Sequence, residues 1–208
     1  RGELEILLGH SIFVIDEGAT HLPTIVLLHG YGADAENMRF LANEWKQYFK
    51  DWNYVGIDGP ITLAHGGYSW FDLAGENWLA DIAKSAEYIS LQFEHYKKRL
   101  IFVGFSQGAF LSAHLGAYSN LDIDGCICFS GGLVPMQKPA RSTPLYFIHG
   151  SSDEVILPEW FEKTLEFAKE RELPITCLLY TSDAADDSLR VDLGGRRIIK
   201  KIFCVCCL

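Results

Sequence analysis

A serine placed between two glycines constrains this chain more than any other feature. Gly104, Ser106 and Gly108 follow an apolar run at residues 100–103 and open a run of small residues at 109–117. Apolar runs of four to eight residues are typical of buried strands. When a strand turns sharply into a helix, only glycine fits two residues before and two residues after the turn residue. The pattern therefore predicts that Ser106 lies on a strand-to-helix turn and presents its hydroxyl to a cleft; the alternative is an ordinary loop.

A second glycine-punctuated loop follows the apolar strand run at residues 25–28. It spans residues 29–34. When a serine attacks a carbonyl, two backbone N–H groups commonly hold the developing oxyanion, one after the serine and one in an earlier loop of this kind. The two donors would be the amides of Gln107 and Tyr31. In the alternative interpretation, the glycines of this loop only satisfy turn geometry.

An acidic residue follows a third apolar run, at residues 144–149. Asp153 lies just beyond the turn at Gly150, and Pro158 then begins an acidic helical segment. This places Asp153 at the carboxyl end of a strand, on the same rim as Ser106. A carboxylate there can accept a hydrogen bond from a histidine that serves as base, and the order serine, then aspartate fits such a triad. As an alternative, Asp153 only caps the helix.

The remaining patterns predict an α/β fold. Because strand and helix patterns alternate, we expect a mostly parallel central sheet with helices on both faces. The predicted strands, beginning with a hairpin, are residues 4–8, 11–16, 24–28, 54–57, 100–105, 123–129, 145–149 and 175–179. The predicted helices are residues 35–49, 75–96, 107–118 and 158–172.

Four motifs together resemble the phospholipase/carboxylesterase family, which includes the acyl-protein thioesterases. They are residues 29–34, 67–72, 104–109 and 149–153. The resemblance covers about residues 4–176. It implies a single α/β-hydrolase domain at residues 1–176 that cleaves carboxylic esters or thioesters of acyl chains.

The same resemblance implies roles for individual residues. Ser106 would be the nucleophile, Asp153 the orienting acid, and the Tyr31 and Gln107 amides the oxyanion donors. Trp70 and its neighbours would line the acyl pocket; without the family, Trp70 and Phe71 equally fit a hydrophobic plug over the core.

The histidines depart from this family pattern. A triad histidine is expected after Asp153, on the loop that follows the strand at residues 174–179. All seven histidines precede Asp153: His10, His21, His29, His65, His95, His114 and His149. For His29 the resemblance favours a structural role within its loop over a role as base.

The last 32 residues differ from the rest of the chain. Residues 177–208 carry five basic and four acidic residues and hold four of the six cysteines. Residues 177–201 resemble a translated sequencing adapter, and residue 1 is Arg rather than Met. We therefore expect a non-native tail at residues 177–208 and a hydrolase domain that is incomplete at its carboxyl end. The alternative is a membrane tail with a polybasic patch and palmitoylated cysteines.

Composition limits the partners. The net charge of −9 argues against nucleic-acid binding. No apolar stretch reaches the ~20 residues needed to span a bilayer, so no stable membrane insertion is expected. Cys126 and Cys128 fit buried free thiols in a reducing cytoplasm. No metal-ligand spacing or phosphate-binding loop is present, and no cofactor is expected; the oligomeric state is left open.

Two functional hypotheses follow. The first is a serine esterase or thioesterase, acting on a small-molecule acyl substrate, whose triad histidine is missing from this chain. The second is a catalytically inactive hydrolase-fold module that binds acyl chains or a partner.

Overall fold

The computed structural model describes most of the hydrolase-like part of the chain. The described residues are 12–15, 22–72, 75–136, 139–151 and 153–180. The first predicted strand, at residues 4–8, lies outside them, as does the predicted tail beyond Tyr180.

Within the described residues, a seven-stranded sheet and a two-stranded sheet form. The strands of the large sheet are β1 (Ile12–Ile15), β2 (Thr24–Leu28), β3 (Asn53–Ile57), β6 (Leu100–Phe105), β7 (Gly125–Phe129), β8 (Leu145–Gly150) and β9 (Ile175–Tyr180). The small sheet pairs β4 (Ile61–Thr62) with β5 (Tyr68–Ser69). The large sheet has the order β1-β3-β2-β6-β7-β8-β9; β1 is antiparallel to β3 and the other pairs are parallel. The prediction of a mostly parallel sheet is confirmed.

Four α-helices lie within the described residues and connect these strands. They are α1 (Arg39–Lys46), α2 (Trp78–Phe93), α3 (Gln107–Tyr118) and α4 (Pro158–Glu170). The first predicted helix is shorter than expected, because a 3₁₀ turn at Glu36–Met38 precedes α1. Helix α3 is buried from end to end except at Tyr118, which explains why its apolar residues are not confined to one face.

The sheet separates two hydrophobic cores. Along β2, Val26 and Leu28 belong to the core that also includes residues of α2, α3 and α4, whereas Ile25 and Leu27 belong to the core with α1. Because side chains alternate along a strand, both faces of a central strand are buried, and its sequence reads as a continuous apolar run.

The parallel strands bring three loops to one edge of the sheet. β2 lies beside β6, with Leu28 opposite Gly104, and the chain leaves these two strands toward opposite halves of the sheet. Ligands of such sheets bind at this kind of switch point, beyond the carboxyl ends of the strands. The loops after β2, β6 and β8 carry Tyr31, Ser106 and Asp153.

Strand β9 ends at Tyr180, within one residue of the strand expected at residues 175–179, and includes the first residues of the tail expected at residues 177–208. Residues from Cys177 to Tyr180 pair in parallel with β8, so they complete an edge strand. None of the helices in the described part of the chain is both long and apolar enough to cross a bilayer.

Candidate active site

Ser106 occupies a strained turn between β6 and α3. Its backbone has φ 51° and ψ −114°, a region that residues other than glycine rarely adopt. A Cβ on Gly104 would lie 2.0 Å from the Gly108 carbonyl oxygen, and a Cβ on Gly108 would lie 2.2 Å from the Leu28 oxygen. The glycine spacing in the sequence is therefore a steric requirement of this turn and of its packing against β2. Such backbone strain typically costs about 1–3 kcal/mol and is concentrated at functional sites.

A large apolar cavity opens at Ser106. Its volume is about 1140 Å³, and Ser106 is half-buried in its wall. The wall is formed mainly by apolar side chains, including Met38, Phe40, Phe71, Phe110, Ile156 and Trp160. A cavity with this lining suits an extended hydrocarbon chain with one end at the serine hydroxyl.

The loop after β2 runs beside the nucleophile candidate. A Cβ built on Gly30 would lie 3.5 Å from the Cβ of Ser106, so the two loops are in contact. Tyr31 and Gln107 both line the cavity. Among the described residues, neither of their backbone N–H groups has a hydrogen-bond acceptor. Unpaired amides at a cavity wall can receive a ligand oxygen.

His29 is buried behind this loop and cannot act as the base. Its Nε2 accepts a hydrogen bond from the Gly59 N–H at 2.9 Å, so the proton of the neutral ring lies on Nδ1, which donates to the Gly30 carbonyl at 2.7 Å. Burial lowers the pKa of His29. Both nitrogens of the neutral imidazole are therefore occupied by backbone groups, in keeping with the structural role expected for it.

Trp70 supports the site from behind instead of lining the cavity. Its side chain is fully buried, and its indole N–H donates to the His29 carbonyl at 2.9 Å. The expectation that Trp70 itself lines the pocket needs correction: the indole faces inward because it packs on the His29 ring, 5.0 Å between centroids. The cavity wall is formed by the next residue, Phe71.

The Gln107 side chain ties the turn after β6 to the same segment. Its Oε1 accepts from the Trp70 backbone N–H at 2.8 Å, and its Nε2 donates to the Phe71 carbonyl at 2.7 Å. The amide group thus fixes the segment that carries the cavity-lining Phe71 to the first residue of α3.

Asp153 is buried at the carboxyl end of β8 with one oxygen unpaired. Its Oδ1 accepts from the backbone N–H groups of Val155 and Ile156 at 3.0 and 2.9 Å. Its Oδ2 is buried and has no hydrogen-bond partner in the described part of the chain. Helix α4 begins after Leu157 without a side-chain cap, so Asp153 is not its N-cap. An unpaired buried carboxylate oxygen is costly and calls for a donor.

Among the described histidines, His149 lies within 4 Å of this carboxylate. Its Nε2 lies 3.9 Å from Asp153 Oδ2 and donates instead to the Ile156 carbonyl at 2.9 Å. The ring is fully buried and stacks on Phe161. His149 is on β8, two strands from β6, and adjacent strands are about 4.8 Å apart. From this position the ring does not reach Ser106 without leaving its place.

The sequence did not indicate the aromatic cluster of the cavity. Trp160 lies edge-to-face against Trp78 and Phe110, with centroids 6.1 and 6.0 Å apart. These residues come from three different helices, and no local pattern distinguishes them from other core aromatics. The signal is the tertiary packing itself.

Comparisons with known proteins point to one family. The family model of phospholipases/carboxylesterases matches residues 10–173. Acyl-protein thioesterase 1 of Emericella nidulans is 25% identical, with 86% of this chain and 90% of the relative covered. Lysophospholipase-like protein 1 of Mus musculus is 26% identical, with 73% and 74% covered.

A solved structure shows the same fold. The crystal structure of esterase PE8 superposes with a TM-score of 0.75 at 25% identity and covers 91% of this chain and 98% of its own. The fold is that of an α/β-hydrolase, as the sequence predicted. With the family model matched over most of its length, the chain belongs to the phospholipase/carboxylesterase family.

Proposed function

We propose that this protein is a serine hydrolase by descent that cleaves carboxylic esters or thioesters of acyl chains. The observation that carries the proposal is the strained Ser106, held at an apolar cavity beside two unpaired backbone amides. Family membership supports ester or thioester hydrolysis as the reaction class.

In the proposed mechanism, Ser106 is the nucleophile. Its Oγ attacks the acyl carbonyl carbon, and the Tyr31 and Gln107 amides stabilise the negative charge that develops on the carbonyl oxygen. The leaving alcohol or thiol departs, and water then releases the acid from the acyl-serine. Asp153 Oδ2 would orient a histidine that takes the serine proton and returns it to the leaving group.

We further propose that the 208-residue chain has little activity. None of its histidines follows Asp153, and the buried His29 and His149 each bond a backbone carbonyl. In subtilisin, loss of the triad histidine lowers kcat about 10⁶-fold. The unpaired Oδ2 of Asp153 supports the same conclusion, because a functional triad would fill it.

A chimera tests the proposal. Residues 181–208 are replaced by the carboxyl-terminal segment of a related esterase, including its histidine loop and last helix. The junction follows Tyr180 because β9 ends there. Hydrolysis of an aryl butyrate should be near background for the unaltered chain and rise by several orders of magnitude for the chimera. The chimera with Ser106→Ala is the control and should return to background.

The alternative function is a binding module for acyl chains. The observation in its favour is also the unpaired Asp153 Oδ2, since a cavity without a base can bind but not turn over. A folded chimera without activity would favour this alternative. Full activity of the unaltered chain would instead show that another group acts as base.

A further inference from the structure

The direction of the Tyr31 N–H is fixed by the carbonyl on the other side of the same peptide bond. The Gly30 carbonyl accepts from His29 Nδ1 at 2.7 Å and, more weakly, from the Ala33 N–H at 3.3 Å. In a planar trans peptide, the C=O of one residue and the N–H of the next point in opposite directions. No cis peptide occurs in the described residues. Holding the Gly30 carbonyl against His29 therefore turns the Tyr31 N–H away from His29.

The His29 ring is in turn held by its surroundings. Its Nε2 accepts from the Gly59 N–H, and Gly59 is tightly packed: a Cβ there would lie 2.5 Å from the Ser69 carbonyl oxygen. Trp70 covers the ring and binds the His29 carbonyl through its indole N–H. These contacts fix both the ring plane and the tautomer, with the proton on Nδ1.

We propose that His29 is a positioning residue for the oxyanion site: its Nδ1–H holds the Gly30–Tyr31 peptide so that the Tyr31 amide faces the carbonyl oxygen of the substrate. This inference rests on the proposed function and gives the role of a residue that does not touch the substrate. Trp70 assists by holding the ring, and its backbone N–H bond to Gln107 links it to the second amide donor.

Two substitutions separate positioning from packing. The amide nitrogen of asparagine can occupy the place of Nδ1, whereas the amide of glutamine reaches the place of Nε2. H29N therefore keeps a donor to Gly30 and loses the acceptor for Gly59, and H29Q does the reverse. If His29 only fills space, the two variants should behave alike.

The rate of covalent labelling of Ser106 is the first readout. An alkyl fluorophosphonate reacts by forming the Oγ–P bond and releasing fluoride, and at pH 9 hydroxide takes the serine proton in place of the missing histidine. Intact mass spectrometry follows labelling at a series of probe concentrations. The series gives the maximal labelling rate and the half-saturating probe concentration separately. The phosphonyl oxygen occupies the oxyanion site in the transition state, so its donors affect the maximal rate.

The expected result is a split between the two variants. Loss of one oxyanion donor lowers a reaction rate about 10²–10³-fold, so misalignment of the Tyr31 amide in H29Q should lower the maximal labelling rate by about tenfold or more. The half-saturating probe concentration should stay within about twofold of that of the unaltered chain. H29N should recover to within about threefold of the unaltered chain. Equal losses in both variants, or no loss in H29Q, would overturn the proposal. Thermal melting verifies that both variants are folded.

Two further measurements do not depend on activity. In the crystal structure of H29Q, the Gly30–Tyr31 peptide should rotate, and an unchanged peptide would overturn the proposal. Nitrogen-15 NMR of the unaltered chain should show the His29 proton on Nδ1, and a proton on Nε2 would overturn it even if neither variant folds. If the unaltered chain is labelled no faster than S106A, the result counts against Ser106 as the nucleophile. The crystal structure and the NMR measurement still decide the role of His29 in that case.

Discussion

Ser106 combines an unfavourable backbone with a reactive side chain, and the two can be separated by substitution. Alanine removes the hydroxyl but keeps the Cβ that makes φ 51° and ψ −114° unfavourable. Glycine removes both. The sequence pattern could predict this residue because two glycines flank it: the steric demand on Gly104 comes from the Gly108 carbonyl of the same turn, and that on Gly108 comes from the backbone of Leu28.

S106G should therefore be more stable than S106A. Relief of strain of about 1–3 kcal/mol outweighs the glycine entropy cost of about 0.5–1 kcal/mol, so we expect about 1 kcal/mol in the free energy of unfolding. Urea denaturation of both variants measures it. At Ser90, in the last turn of α2, the order should reverse, with S90G less stable than S90A. The same order at both positions would contradict the strain at Ser106.

His114 gives the chain a dependence of stability on pH. Burial lowers the pKa of His114 from 6.5 to about 4, and its Nδ1 has no partner among the described residues. Because the unfolded chain takes up this proton more readily, the folded state loses stability as the pH falls from about 6.5 to about 4.

Replacement of His114 by glutamine should weaken this dependence. The drop in the free energy of unfolding between pH 7 and pH 4.5 should shrink by about 2 kcal/mol relative to the unaltered chain. Chemical denaturation at the two pH values measures the drop. The comparison is between variants because carboxylates also titrate over this range. An unchanged drop would mean that His114 is protonated as easily in the folded chain as in the unfolded one.

At the scale of elements, buried parallel strands were the most predictable parts. Strands β6 and β8 end within one residue of expectation because both faces are apolar. Strand β7 begins at Gly125, two residues late, because the Asp124 carboxylate binds the Leu100 N–H before pairing starts. The β4–β5 hairpin was missed, because strands of two residues leave no periodic pattern.

Helix α3 approaches the sheet closely at Gly116. A Cβ there would lie 2.7 Å from Cys126 Sγ and 2.8 Å from a methyl carbon of Leu145. G116A should lower the free energy of unfolding by about 1–2 kcal/mol, because crowding outweighs the gain in helix propensity.

Thermal or urea denaturation of a double-mutant cycle tests the cause of that loss. C126A removes the sulfur atom and should recover part of the loss caused by G116A. Additive effects of the two substitutions would show that the crowding lies elsewhere.

At the scale of the whole molecule, the sequence could predict which edge of the sheet carries the candidate site, but not which side chains form the cavity wall. Parallel strands of one sheet must end at one edge, so the order of the motifs already placed Tyr31, Ser106 and Asp153 together. The inward orientation of Trp70 and the cluster around Trp160 depend on side-chain packing between distant elements. Residue type alone did not distinguish Phe71, which lines the cavity, from Trp70, which does not.

The cavity should bind alkyl chains whether or not the protein is catalytic. For 1-alkanols from five to nine carbons, each added methylene should tighten binding about fourfold, as expected for about 0.8 kcal/mol per buried CH₂. Isothermal titration calorimetry measures the series. S106A should bind like the unaltered chain, and W160A should bind more weakly because it removes part of the wall. Affinity independent of chain length would contradict a cavity that accepts the chain.

The unpaired oxygen of Asp153 links catalysis to heat resistance. It is buried without a donor in the part of the chain that the structure describes, and a buried polar atom in this state costs about 1–3 kcal/mol. A carboxyl-terminal segment that delivers a histidine N–H to this oxygen should therefore raise the melting temperature as well as the rate. Libraries of such segments can accordingly be ranked by melting temperature alone, before any substrate is known.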